Sequence, residues 1–134
     1  RTEGQYYLAG CPPDEDPAVD YDDFVQDHSI WEEKVWPVIA NRIPQFEQIK
    51  LINSWAGHYA FNTLDQNAII GPHTQVANFI FSNGFSGHGF QQSPAMGRGI
   101  SELVVYGEYR SLDLSPFGYE RIEAGRPFFE KAVI

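Results

Sequence analysis

The run Asn83-Gly-Phe-Ser-Gly-His-Gly-Phe-Gln-Gln92 constrains this chain more than any other stretch. It follows Val76-Ala-Asn-Phe-Ile-Phe81, whose β-branched and aromatic content predicts a strand. It precedes Ser93-Pro94, an N-cap residue and a preorganised first helical position. Met96, Ile100, Leu103 and Val104 then mark one apolar helical face, and Gly107 stops it. Gly84, Gly87 and Gly89 between strand and helix require a tight bend, because glycine alone takes left-handed backbone at no steric cost. A bend that opens a helix suits anions and polar ring edges: backbone N–H groups approach closely and the helix dipole adds positive potential. A turn whose glycines serve only packing has the same pattern.

Other chemistries fit less well. The glycines of Gly84-Phe-Ser-Gly-His-Gly89 do not have the G-x-G-x-x-G spacing of a dinucleotide fingerprint. Ser86 is not in a G-x-S-x-G nucleophile elbow, since Asn83 precedes Gly84, so a serine hydrolase is not expected. His88, between two glycines, has little side-chain cover and reads either as an imidazole open to a ligand or as a plain surface histidine. His28, His58 and His73 stand at no metal-ligand spacing, and no metal site is expected.

Upstream, Gln5-Tyr-Tyr-Leu-Ala-Gly10 reads as a strand ended by Gly-Cys-Pro-Pro, so the chain opens almost directly into a strand, as a cut chain would. An acidic run follows, from Asp14 through Glu15, Asp16, Asp20, Asp22 and Asp23 to Asp27, without a Lys or Arg, and reads as a solvated loop. Ser29 and Glu32 have the spacing of a capping box before a helix over about Ile30 to Ile43, which Pro37 should kink and Pro44 should end. Ile49 to Phe61 is rich in β-formers, and Asn67-Ala-Ile-Ile70 reads as a further short strand. Strand alternation would put Trp55, Gly57 and Tyr59 on one face, either as a wall for a flat ring or as core packing with Gly57 at a bulge. The residues after Gly107 have no strong period and are expected to wrap over the surface. Antiparallel strands with separate helices make the fold class α+β.

The balance of 43% hydrophobic and 20% charged residues, with ten Phe, seven Tyr and three Trp, is that of a folded chain, and 134 residues suffice for a core. A net charge of -9 opposes nucleic acid as a partner, because phosphate binding needs Lys and Arg to displace counterions. Cys11 is the only cysteine, which excludes an internal disulfide and fits a reducing compartment. No apolar run approaches the length of a membrane span, and the first residues lack a signal-peptide layout.

Two segments, Trp55-Ala-Gly-His-Tyr through Thr63-Leu-Asp65 to Ile70-Gly71, and Asn83-Gly-Phe-Ser-Gly-His-Gly-Phe90 with its helix, resemble the final third of the D-amino-acid-oxidase and sarcosine-oxidase (DAO) family of FAD-dependent oxidoreductases. Order and spacing both agree. Val35-Trp-Pro, Ala40-Asn-Arg-Ile-Pro44, Asp65-Gln-Asn67, Gly71-Pro-His73, Gln91-Gln-Ser-Pro94, Gly97-Arg98 and Asp113-Leu-Ser-Pro-Phe117 extend the resemblance to a mitochondrial branch associated with assembly of respiratory complex I. Bacterial relatives share much of this pattern.

The resemblance implies an incomplete fold. Residues 1–74 would be the C-terminal part of an antiparallel substrate domain, 75–110 the closing strand, flavin loop and helix of the FAD domain, and 111–134 a C-terminal tail. It places Gly87, His88, Gly89, Phe90 and Gln91 against the flavin pyrimidine edge and Tyr59 on the substrate side, in the catalytic pocket. Where sarcosine oxidases have a lysine that helps to hold the substrate carboxylate, this chain has Gln91, and a neutral amide is a weaker carboxylate anchor. The cysteine that bonds flavin in sarcosine oxidases aligns with Gly57, so FAD is expected to be noncovalent. The family's N-terminal G-x-G-x-x-G unit for the FAD pyrophosphate is missing, so the chain alone should bind FAD poorly and turn over no substrate.

The implied activity is oxidation of a C–N bond of an amine or amino acid by hydride transfer to flavin. The alternative is an assembly factor for respiratory complex I with a mainly structural flavin. Partners would be the rest of its own polypeptide, the amine substrate and complex I subunits. The location would be the mitochondrial matrix in a eukaryote and the cytoplasm in a bacterium.

Overall fold

The computed structural model describes residues 2–131; position 1 and the last three positions of the expected tail lie outside the described residues. Contacts divide the chain into two units, Arg1–His58 and Tyr59–Ile134. Small antiparallel sheets and separate helices make the fold α+β.

In the first unit, β1 (Thr2–Glu3) pairs antiparallel with β2 (Tyr6–Tyr7), Gly4 making the turn at φ 59°. The strand expected over Gln5 to Gly10 is thus only two residues long, because the chain folds back on itself at Gly4. The acidic run is exposed, with Asp14 paired to Lys34 Nζ at 2.5 Å. The capping box does not form. Asp27 Oδ1 accepts both the amide and the hydroxyl of Ser29, at 2.9 and 2.8 Å, so the shorter acidic side chain takes the capping role.

A π-type turn, Trp31–Val35, precedes α1 (Trp36–Arg42). Pro37 explains it: proline has no N–H to give the preceding turn and its ring crowds that turn's carbonyls, so the backbone widens to an i→i+5 bond from the Trp36 amide to the Trp31 carbonyl. Pro44 opens a 3₁₀ turn, Pro44–Gln48, whose Phe46 carbonyl accepts the Trp36 indole N–H at 3.1 Å. The strand expected from Ile49 to Phe61 does not form among the described residues, since no neighbouring strand offers it a ladder. Trp55, Gly57 and Tyr59 therefore share no strand face.

In the second unit, β3 (Ile69–Pro72) pairs antiparallel with β4 (Ile80–Asn83), Ile70 opposite Ser82 and Gly71 opposite Phe81. The strand expected at Val76 begins only at Ile80, because His73 Nδ1 accepts the amides of Gln75 and Val76 and commits those residues to the reversal. Next, α2 runs Gly89–Tyr106, beginning at Gly89 and not at Pro94. Pro94 is tolerated inside it because the Phe90 carbonyl, deprived of the proline donor, accepts the Ser93 hydroxyl at 2.9 Å. Gly107, left-handed at φ 75°, ends the helix as expected.

The core is small. Ala68, Ile70, Met96 and Leu114 are buried, with Phe85, Ile100, Tyr109 and Phe117 packed on them. The segment after Gly107 does more than cover the surface. It forms a 3₁₀ turn, Ser115–Phe117, and α3 (Glu120–Glu123), and it buries Leu114 and Arg121. The sequence hides this because buried positions on short turns leave no period. No helix among the described residues is long and apolar enough to cross a membrane.

Glu102, only 2% exposed on α2, grips the chain beyond the helix. Its carboxylate accepts the Ser111 hydroxyl at 2.5 Å, the amides of Arg110 and Ser111 at 2.8 and 3.0 Å, and Arg98 Nε at 2.7 Å. Led by the Ser111 hydroxyl, these donors hold its pKa down from 4.5 to about 2. A depressed carboxylate pKa gives stability that is complete above 4.5 and is lost as the pH falls towards about 2. The urea-unfolding midpoints of native protein and Glu102→Gln should therefore differ at pH 6 and converge as the pH approaches about 2.

Two glycines on α2 give a second prediction. A Cβ at Gly99 would lie 2.3 Å from Leu114 Cδ1 and 3.2 Å from its Cγ, in the core, whereas one at Gly97 meets nothing. Gly97→Ala should stabilise the protein by up to ~1 kcal/mol through helix propensity. Gly99→Ala should destabilise it by about 1–3 kcal/mol through overpacking. Urea unfolding of the two variants checks the opposite signs.

Candidate functional site

Between β4 and α2 the backbone passes through three left-handed residues, Gly84 at φ 67°, Ser86 at 48° and Gly87 at 89°. The bend closes with the His88 amide donating to the Phe85 carbonyl at 2.9 Å, and the first helical bond runs from the Gln92 amide to the His88 carbonyl at 3.1 Å. The amides of Gly89, Phe90 and Gln91 precede that bond and have no intrahelical acceptor, and no side chain caps the helix. The donor set is therefore N–H only, at the positive end of an 18-residue helix. It fits a flat ring edge rich in carbonyl oxygens, or an anion.

The bend is held from behind. Ser86, buried despite its positive φ, donates its amide to the Ala60 carbonyl at 3.0 Å, and its hydroxyl accepts the Asn62 amide at 2.9 Å. Asn62 Nδ2 donates to Asp65 Oδ1 at 2.8 Å and to the Asn67 carbonyl at 2.7 Å. Asp65, 0% exposed, meets Arg121, 7% exposed, in a two-point pair: Nε to Oδ2 at 2.6 Å and Nη2 to Oδ1 at 3.1 Å. Arg121 also donates to the carbonyls of Asn67, Ala68, Phe117 and Gly118. Burial pushes the Asp65 carboxyl up, but Arg121 and the Phe128 and Asn67 amides outweigh it and hold the group below its ordinary range.

Of the residues singled out from sequence, Gly87, His88, Gly89, Phe90 and Gln91 come together in the bend and first turn. Phe90 projects outward, 90% exposed, and Gln91 is exposed beside it. The His88 imidazole is not open as expected: it is 8% exposed and sits 3.2 Å through Nδ1 from the Ser86 carbonyl, because the left-handed pair Ser86-Gly87 turns the ring inward. A carbonyl only accepts, so Nδ1 is the protonated nitrogen in that contact. Tyr59 precedes Ala60, which the bend holds, and its ring lies 6.3 Å from that of Phe61. Asn62 and Arg121 escape sequence reasoning. Asn62 leaves a faint signal, an Asx-turn residue before Thr-Leu-Asp, and Arg121 leaves none, lying 56 positions from its partner. No cluster of three His, Cys, Asp or Glu among the described residues is placed to hold a metal ion.

A short antiparallel pair thus leads through a left-handed bend into a helix whose first turn has no side-chain cap. The chain belongs to the FAD dependent oxidoreductase (DAO) family, whose model matches residues 1–103. It is 44% identical, over 98% of its length, to FAD-dependent oxidoreductase domain-containing protein 1 of Xenopus laevis, and 39% identical over 87% to the Drosophila melanogaster homolog. Over 44% of its length it is 39% identical to monomeric sarcosine oxidase of Bacillus sp. (strain B-0618). The crystal structure of L-proline dehydrogenase from P. horikoshii superposes with a TM-score of 0.71 at 29% identity, over 79% of this chain and 28% of that one. The chain spans only part of these curated relatives, 26% of the Xenopus protein, 22% of the Drosophila one and 15% of the Bacillus oxidase.

Removing Arg121 should be costly, because it would leave the Asp65 charge buried without its counter-ion. Arg121→Met, close in length but neutral, is expected to destabilise the protein by about 3–5 kcal/mol, read from urea unfolding near pH 7.

Proposed function

We propose that this chain is the C-terminal part of an FAD-dependent oxidoreductase that oxidises a C–N bond of an amine or amino acid. Its antiparallel segments would serve the substrate domain, and β4, the bend and α2 would close the FAD domain. The observation that carries this reading is the uncapped start of α2, where the amides of Gly89, Phe90 and Gln91 offer donors and nothing else. Bound FAD would supply a two-electron acceptor for the hydride, with negative charge at the pyrimidine edge of the reduced ring. The three amides and the helix dipole favour that charge, preorganised and without moving. Gly87 and His88 shape the approach, and Tyr59 lines the substrate side.

Gly57 stands where a flavin-bonding cysteine would, so FAD is held noncovalently, with its ADP half on a segment other than this one. Exposed apolar side chains on α2, Val104, Val105 and Tyr106, fit a chain that packs against the rest of a longer polypeptide. The neutral amide of Gln91 favours a second reading: a mitochondrial protein that helps to assemble respiratory complex I and whose flavin is mainly structural. A panel of secondary and N-methyl amines separates the two. Flavin bleaching by any of them supports the oxidoreductase, whereas an unbleached flavin together with co-purifying complex I subunits supports the assembly role.

Amide hydrogen exchange on the complete protein tests the bend itself. Adding FAD to the apoprotein should slow exchange at Gly89, Phe90 and Gln91 by tenfold or more, on the order expected when a free N–H gains an acceptor. Unchanged exchange at these three amides would sink the reading.

A further inference from the structure

We infer that Ser86 and Asn62 are positioning residues for the flavin-facing amides: the Ser86 hydroxyl and the Asn62 amide lock the bend onto the buried Asp65–Arg121 pair. The inference rests on the reading of the bend as a flavin contact and adds residues that do not touch the flavin.

The argument begins with a conflict. Ser86 sits at φ 48°, a region that favours glycine, while its neighbours Gly84 and Gly87 meet the same demand with glycine. A third glycine would relieve the strain. A serine is useful there only for its hydroxyl, and that hydroxyl is buried and bonded in both directions: it accepts the Asn62 amide at 2.9 Å and donates to the Gly84 carbonyl at 3.3 Å. The Ser86 amide adds a third tie, to the Ala60 carbonyl. The bend is therefore fastened to the Ala60–Asn62 segment at two points, and the hydroxyl is the one that glycine cannot replace.

Asn62 is the joint. Its main-chain amide faces Ser86 while its side chain faces the other way, Nδ2 to Asp65 Oδ1 and to the Asn67 carbonyl, Oδ1 to the Leu64 amide at 3.1 Å. Asp65 then leads to Arg121 on α3, and Arg121 fans out to four carbonyls. The hydrogen bonds form one continuous chain from the bend to the buried pair. Main-chain donors stabilise developing charge only to the extent that they are held in place beforehand, so slack anywhere in this chain reaches the amides of Gly89, Phe90 and Gln91.

The test uses the complete, FAD-loaded protein, with FAD as the probe. Ser86→Ala leaves the Asn62 amide without an acceptor and should weaken FAD binding about tenfold, lower the flavin midpoint potential and shift its visible absorption bands. Ser86→Gly is the decisive variant, because it removes the strain together with the hydroxyl and is the safer of the two for folding. It should show the same losses. Asn62→Ala should also weaken binding, and combining it with Ser86→Ala should cost little more than the worse single change, since both cut one chain. Native affinity and spectrum in Ser86→Gly, or a double variant whose loss equals the product of the singles, overturns the inference. Slowed exchange at Gly89–Gln91 on adding FAD, with silent Ser86 variants, overturns positioning alone and leaves the flavin contact standing. If FAD fails to slow that exchange in the native protein, both fall.

Discussion

The second unit depends on one buried ion pair. Taking the Asp65 carboxylate and the Arg121 guanidinium out of water costs several kcal/mol each, and their mutual attraction offsets that cost only when the remaining lone pairs and protons find partners. Here they do. The carboxylate accepts two nitrogens of Arg121, the Asn62 side chain and the Phe128 and Asn67 amides, while the guanidinium reaches four main-chain carbonyls. A hydrophobic pair of similar volume could fill the same space, but it could not tie three segments, 62–68, 117–121 and Phe128, to one point.

That geometry compensates for a thin core. With four buried apolar side chains among the described residues, apolar packing alone specifies little, and polar ties hold the connections instead. Asp65–Arg121 gathers the turn before β3 and the segment after α2, and Glu102 fixes the chain that leaves α2. Glu102 on α2 thus holds the chain beyond the helix and Ser86 holds the bend before it, while the first turn keeps its amides uncapped.

Much of the bend that forms the candidate site was legible in the sequence. The glycine spacing from Gly84 to Gly89 announced a bend before a helix, the DAO resemblance was carried by the same residues, and the antiparallel partner of β4 was present as Asn67–Ile70. The misreadings share a cause. Ser93-Pro94 reads as an N-cap and a preorganised first helical position, yet the Ser93 hydroxyl bonds the Phe90 carbonyl that Pro94 leaves without a donor and lets the helix begin at Gly89. Ser29 and Glu32 have the spacing of a capping box, yet Asp27, two residues earlier, accepts the Ser29 hydroxyl and amide instead. Ile49 to Phe61 reads as strand from β-propensity, which expresses fit to a sheet more than a backbone preference, and the segment joins neither sheet among the described residues.

The sequence by itself determined whatever depends on neighbours a few positions apart: the α+β class, the left-handed bend, the Gly107 helix stop and the family. Tertiary structure decided what depends on residues far apart in the chain. It turned His88 inward, gave Ser86 its partner 24 positions upstream, and joined Asp65 to an arginine 56 positions away. Local conformational preferences act over one or two turns and so leave a pattern in the letters. A buried hydrogen bond between distant residues leaves none, because its energy arises only when folding excludes water from both groups at once.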